Sequence, residues 1–356
     1  MSSITHDSLY THYVKNRHEL PLKTRIGFTF GAVALLHVIA LTLLLVGSFS
    51  GAAPLAWGVV LAAYAAGLKH SYDWDHISAI DNSTRKFVSE GSNPASVGFA
   101  FSLGHSTIVT AAGIMVVAGA HFVTGAFEEG SATNHVLGLI GAGVSGIYLL
   151  ILGIYNSQTA LHLLGLSRSQ KQGHHVHHHE LDGSSGLIAR LIQKPLNKVR
   201  RPRDIFVIGL LFGLGFDTAT TIGLLVLTVA ASFAGVSPVA LIGLPIAFTA
   251  GMTLCDTLNG LGMMKLYSTA LTDVSRRLRF NIVVTLISSV SALFISVITL
   301  LGFIHELFGL EDPVTTWFAE IDLGNAGLLL VGLFVVVWAV YAINQRWGRD
   351  AVKVGN

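Results

Sequence analysis

Charge is scarce in this chain. Asp, Glu, Lys and Arg make up only 12% of its 356 residues, where a soluble domain carries roughly a quarter. The hydrophobic share is 52% and the mean hydropathy is +0.64. This combination argues against a soluble enzyme or a nucleic-acid-binding module and for an all-α integral membrane protein. Cysteine is nearly absent too. Cys255 stands alone, so no intrachain disulfide can form. The first 25 residues are polar and lack the apolar stretch of a cleavable signal peptide. Neither a phosphate-binding P-loop nor an H-E-x-x-H metalloprotease motif occurs, which argues against ATP drive within this chain and against an intramembrane protease.

Long apolar runs take the place of charge. Eight stretches, near 26–50, 54–80, 95–121, 135–157, 205–234, 238–265, 279–303 and 325–345, are long enough to cross the bilayer as helices, given about 20 residues for roughly 30 Å of hydrocarbon. The expected layout is a tail at 1–25, transmembrane helices 1–4 within 26–157, a loop at 158–204, helices 5–8 within 205–345 and a tail at 346–356. The positive residues follow this layout. Every Lys and Arg except Lys69 falls in alternate segments: the amino-terminal tail, the loop after stretch two (Arg85, Lys86), the 158–204 loop, the loop after stretch six, and the carboxy-terminal tail. The positive-inside rule then places both termini in the cytoplasm and requires an even number of spans.

Stretch two carries an unusual interruption, Lys69-His70-Ser71-Tyr72-Asp73-Trp74-Asp75-His76. Ionisable side chains at membrane depth are costly and usually have a partner or a task. In an unbroken helix His70, Asp73 and His76 fall within an arc of about 120°, with Asp81 beneath His70 and Asp75 on another side. Either Asp75 then faces a neighbouring helix or the helix unwinds locally. Imidazoles beside carboxylates suit nickel, cobalt, zinc or copper better than magnesium or calcium. The alternative, a structural ion-pair network, has little use for two histidines beside two aspartates. Lys69 is positioned to neutralise a surplus carboxylate. His105 in stretch three, Asp217 in stretch five and Asp256 in stretch six are the other ionisable candidates at core depth. The Ser, Thr and Gly residues around them are expected to pack helices closely. His37 and Cys255 read as core residues.

At these residues the chain resembles the nickel/cobalt transporter (NiCoT) family of secondary permeases, whose second-span signature has the form R-H-A-x-D-A-D-H-I. The corresponding stretch here is K-H-S-Y-D-W-D-H-I. F-S-L-G-H-S-T at 101–107, L-G-F-D-T-A-T at 214–220 and G-M-T-L-C-D-T at 251–257 are similar to the family's motifs in spans three, five and six. The resemblance implies eight spans, no enzymatic activity, no resident cofactor, and nickel or cobalt as the transported substrate. It implies a metal site of His70, Asp73, Asp75 and His76, supported by His105, Asp217 and Asp256. Departures occur at Lys69, Tyr72, Trp74, Thr221 and Asn259, where the family usually has Arg, smaller residues, Glu and Asp. The cavity is accordingly expected to be less acidic, and either to hold a divalent ion less tightly or to prefer one that binds nitrogen well.

The chain also hints at internal duplication. Aligning Asp75 with Asp217 pairs Gly67-Leu68 with Gly209-Leu210 and Trp74 with Phe216. Further on, Ala100–Ser106 pairs with Ala247–Thr253. Because stretches two and five run in opposite directions, helices 1–3 and 4–6 are expected to form an inverted repeat. In the 158–204 loop, the tract His174–Glu180 is either a transition-metal buffer or a flexible linker. The expected activity is import of nickel, cobalt or both across the cell membrane, with export, or transport of another divalent metal such as zinc, as the runner-up. An integral-membrane metalloenzyme is less favoured, because the histidine spacing does not form the repeated boxes of membrane oxygenases. The expected partners are the metal ion and the lipid bilayer, with no nucleic acid. Fluorescent-protein fusions after Asn356 should fluoresce, and alkaline phosphatase fusions at the same point should be inactive. The reverse pattern would overturn the cytoplasmic assignment of the terminus.

Overall fold

The computed structural model describes residues 20–50, 54–118, 131–171, 199, 201–214, 219–268, 274–321 and, in part, 327–340. Every regular element among them is an α-helix: α1 (Leu22–Ser48), α2 (Trp57–His70), α3 (Trp74–Ser89), α4 (Val97–Val117), α5 (Ala132–Lys171), α6 (Pro202–Phe212), α7 (Ala219–Phe233), α8 (Pro238–Ser268), α9 (Val274–Phe308) and the short α10 (Pro313–Ala319). Helices α1, α4, α5, α8 and α9 are long and apolar enough to cross a bilayer, and α7 is a shorter apolar helix. In hydrocarbon only a helix or a closed barrel satisfies its own backbone, so an all-helical bundle is what this composition demands. Residues 329–333, 335–337 and 339–340 of the eighth stretch are helical. The His174–Glu180 tract lies outside the described residues.

Two expected helices are split. Stretch two becomes α2 and α3, separated at Ser71–Asp73, and stretch five becomes α6 and α7. At 1.5 Å per residue neither 14-residue α2 nor 11-residue α6 spans the hydrocarbon alone. The local cause of the first break is legible in its polar residues. Asp73 is the extended N-cap of α3, with φ −62° and ψ 140°. Asp75 accepts the His76 backbone N–H at 2.9 Å, placing a negative charge where the helix dipole favours one. At the other side, the Ser71 hydroxyl donates to the Leu68 carbonyl at 2.7 Å.

Helix α3 is polar yet buried. Ser78, Asp81, Asn82, Ser83, Thr84, Arg85 and Lys86 are all shielded from solvent. Three of them find partners on other helices: Ser83 pairs with Tyr148 at 2.8 Å, Asn156 donates to Asn82, and Arg85 donates to Thr285. Lys86 donates to Val199 O at 2.8 Å and to Glu90 at 2.9 Å. Arg85 and Lys86 therefore sit inside α3 rather than in the loop expected after stretch two.

Helix α8 is central, packing on α1, α2, α3, α4 and α7. Glycines set the closest approaches. A Cβ at Gly67 of α2 would collide with the Phe248 carbonyl of α8, and one at Gly209 of α6 would collide with the Phe101 carbonyl of α4. A Cβ at Gly104 would strike Phe206 O and lie 2.8 Å from Leu210 N. One at Gly251 would lie 2.8 Å from Tyr64 O and 3.4 Å from Leu68 N. These contacts come in reciprocal pairs under the alignment that matches Gly67 with Gly209 and Phe101 with Phe248. Helices that touch backbone to backbone cannot admit a side chain without moving. Gly67→Leu or Gly209→Leu should therefore destabilise the protein by about 1–3 kcal/mol or more. Gly27→Ala, with nothing within 4 Å of its new carbon, should not lower the thermal melting temperature of the detergent-purified protein, since Ala is the better helix former.

Candidate metal centre

The break between α2 and α3 brings His70 and His76 together. In an intact helix they would be separated by about 9 Å along the axis, whereas here their ring centroids are 4.7 Å apart. The imidazole of His105, from α4, completes the group at 4.8 Å from His70 and 4.6 Å from His76. All three residues are buried, at 1%, 0% and 3% exposure, and one nitrogen from each lies within 4.8 Å of the other two. This is a candidate three-nitrogen site.

Two carboxylates hold the rings by their outer nitrogens. Asp73 Oδ2 is 2.8 Å from His70 Nδ1, and Asp256 Oδ2, from α8, is 3.2 Å from His76 Nδ1. Each pair follows the carboxylate–histidine arrangement that fixes a ring's tautomer and raises the basicity of its opposite nitrogen. With Nδ1 protonated towards Asp73, His70 Nε2 carries a lone pair. That lone pair accepts from His105 Nε2, 2.9 Å away. His76 Nε2 and His105 Nδ1 are buried and have no hydrogen-bond partner among the described residues. Buried polar atoms are ordinarily satisfied, so the orphaned nitrogens mark a site built for something more than mutual packing. Metal–nitrogen bonds of about 2.0–2.1 Å would require the rings to close by on the order of 1 Å and the His70–His105 hydrogen bond to give way.

Two phenylalanines wall the cluster. Phe101 meets His76 edge-on with centroids 5.0 Å apart, and Phe248 lies 5.5 Å from His70. Thr220 of α7 adds its hydroxyl to His70 Nδ1 at 3.0 Å.

Of the residues singled out in the sequence, His70, Asp73, His76, His105 and Asp256 converge here. Asp75 is engaged at the start of α3 through the His76 N–H and does not join the imidazoles. Asp217 lies outside the described residues. Lys69 is exposed, and among the described residues it is not seen to pair with the aspartates as its place in the motif suggested. His37 behaves as a core histidine, bonded to Val33 O at 2.8 Å and Tyr64 OH at 3.1 Å. Sequence reasoning gave Thr220 only a packing role and passed over Phe101 and Phe248. The two phenylalanines did carry a signal, since the repeat alignment places one over the other.

Known proteins are similar to this chain over most of its length. The family model described as high-affinity nickel-transport protein, NicO, matches residues 56–344. The chain belongs to this family. It is 37% identical over 334 residues to the nickel transporter NicT of Mycobacterium tuberculosis, covering 91% of this chain and 90% of that protein. It is 38% identical over 322 residues to the high-affinity nickel-transport protein NixA of Helicobacter pylori, covering 87% and 93%. With the cobalt transport protein NhlF of Rhodococcus rhodochrous it shares 33% identity over 345 residues, covering 94% and 96%. No solved structure matches the chain. Membership makes it a multi-pass membrane transport protein rather than an enzyme.

The Asp256–His76 pair gives the site a stability signature. Asp256→Ala leaves a buried imidazole N–H without its acceptor and should cost about 1–3 kcal/mol. Asp256→Asn, which keeps an amide oxygen, should cost less. Thermal unfolding of the purified variants measures the difference, and equal melting temperatures for Asp256→Ala and the parent protein would remove Asp256 from this role.

Proposed function

We propose that this chain is a secondary transporter that carries nickel, cobalt or both into the cytoplasm, and that the His70–His76–His105 cluster is where the ion sheds water. The observation that carries the reading is the meeting of three buried imidazoles at a helix break inside a membrane bundle. Imidazole donors suit nickel and cobalt, and relatives named as nickel and cobalt transporters align over nearly the whole chain. In this reading His70, His76 and His105 are the ligands. Asp73 and Asp256 orient them and balance charge, and Asp75 and Asp217 shape the cavity. Transporters commonly place substrate sites where a transmembrane helix is interrupted.

The architecture behind the reading is eight spans with both termini cytoplasmic in the cell membrane. Helices 1–3 and 4–6 form an inverted repeat, with the broken second and fifth spans as counterparts. Its support is the reciprocity of the glycine contacts. Gly67 meets Phe248 and Gly209 meets Phe101, while Gly104 meets Phe206–Leu210 and Gly251 meets Tyr64–Leu68. Equivalent elements three spans apart necessarily cross in opposite directions. The ion leaves towards the basic loop with its histidine tract. A potential of about 100 mV, negative inside, favours entry of a divalent cation by roughly 4.6 kcal/mol.

Uptake of radioactive nickel and cobalt by purified protein in liposomes tests this. With an inside-negative potential, the parent protein should accumulate both ions at low concentration. His70→Ala and His76→Ala should reduce uptake by at least tenfold while still inserting, and His135→Ala, at an exposed residue, should transport normally. Normal uptake by His70→Ala would reject the assigned site. Rapid zinc uptake without nickel or cobalt would reject the assigned substrate, and accumulation only under the opposite potential would reject import.

A further inference from the structure

The imidazole cluster draws its rings and their supports from different parts of the bundle. His70, His76 and His105 stand on α2, α3 and α4, while Asp256 comes from α8 and Thr220 from α7. Thr220 lies in the first turn of α7 (Ala219–Phe233) and is 150 residues from His70 in the chain, yet its hydroxyl is 3.0 Å from His70 Nδ1. The same nitrogen is 2.8 Å from Asp73 Oδ2. With Nδ1 protonated, one N–H therefore faces two oxygens, one from the adjoining turn and one from a distant helix. A ring held by a single acceptor can swing about the N–H···O line and carry Nε2 with it. A second acceptor off that line stops the swing. The hydroxyl is itself well placed to do this. Threonine branches at Cβ, which limits its χ1 rotamers on a helix. Helix α7 packs on α2, α4 and α8, and Thr221, Leu224, Leu225 and Thr228 are buried along it, at the spacing of one helix face.

We propose that Thr220 is a positioning residue of the metal site: its hydroxyl fixes the plane of His70 so that Nε2 points at the ion, and so sets how tightly the ion is held. The inference rests on the reading of His70 as a ligand. A metal on Nε2 requires the neutral ring, whose proton is then on Nδ1. Coordination draws electron density from the ring and strengthens that N–H as a donor, so its acceptors count for more with the ion present than without it. Groups that orient a metal-bound imidazole in this way carry about ten- to a hundredfold of the affinity. Asp73 brings charge as well as direction, whereas Thr220 brings direction alone, which places it at the lower end of that range. Because Thr220 is carried by α7 and His70 by α2, the hold on the ring lasts only while these two helices keep their contact.

Equilibrium binding of nickel to the detergent-purified full-length protein, with uptake by the same variants in liposomes, tests the role. Thr220→Val keeps the branched shape and removes the oxygen. It should bind nickel about tenfold more weakly and need a correspondingly higher nickel concentration for half-maximal uptake, at a maximal rate like the parent's. Thr220→Ala should lose affinity to the same degree, so a folding failure in one variant leaves the other to decide. Thr220→Ser retains the hydroxyl and should recover most of the affinity. Thr228→Val, further along α7, removes a hydroxyl that donates to Leu224 O at 2.8 Å, and it should bind nickel as the parent does. Unchanged affinity in Thr220→Val overturns the proposal, as does an equal loss in Thr220→Ser or in Thr228→Val. So does a fall in maximal rate at unchanged affinity, the mark of a merely structural role. His70→Ala separates this role from the site itself. Parent-like nickel binding in that variant rejects the imidazole site and the role of Thr220 with it, whereas a loss in His70→Ala with none in Thr220→Val overturns the role of Thr220 alone.

Discussion

A backbone inside hydrocarbon must satisfy its own N–H and C=O groups, and an interruption is tolerated only where protein surrounds it. Much of the arrangement around the imidazole cluster depends on how this chain meets that requirement at Ser71–Asp73. Tyr72 of the turn packs on the buried cluster of Met263, Phe280, Val284 and Leu330, and its carbonyl lies against Gly327. The turn's freed groups are shared among the adjoining helix ends, with Ser71 serving the end of α2 and Asp75 the start of α3. The reward for the interruption is geometric. Two histidines that would sit on different turns of a straight helix become neighbours, and a third from α4 closes the group.

The chemistry of that group divides labour between charge and donor atoms. The carboxylates of Asp73 and Asp256 face the outer nitrogens of His70 and His76, so the inner nitrogens present lone pairs. A centre assembled this way is soft and nitrogen-rich, with negative charge held one bond further out. Such a division favours borderline metals over hard cations. The aromatic walls of Phe101 and Phe248 keep the surroundings apolar, which strengthens every electrostatic contact within them.

Much of this was legible in the sequence, for identifiable reasons. The long apolar helices α1, α4, α5, α8 and α9 were readable because hydrophobic length has few other uses, and the histidine motif stood out because charge is so rare here. His105 and Asp256 were found by the same rarity. What periodicity could not give was the outcome at Asp73 and Asp75. Helix continuity and local unwinding place these side chains differently, and the choice between them rests on tertiary enclosure. Asp75 therefore turned to its own helix, and Lys69 turned outward. Thr220 was missed because a threonine in a small-residue run looks the same whether it packs or points at an imidazole. Buried α3 was misjudged at Arg85 and Lys86, because their partners Thr285 and Val199 lie far away in the chain.

The reciprocal glycine contacts carry one further consequence. Side chains can re-pack by changing rotamer, but a main chain resting on another main chain has no such latitude. Such a junction is either closed or parted. The pairs Gly67–Phe248 and Gly209–Phe101 bind α2 to α8 and α6 to α4 in this all-or-none way, and Gly98 lies against the Asp256 carbonyl, joining α4 to α8. These four helices thus act as a single welded frame, and any rearrangement that spares the welds must be taken up outside it.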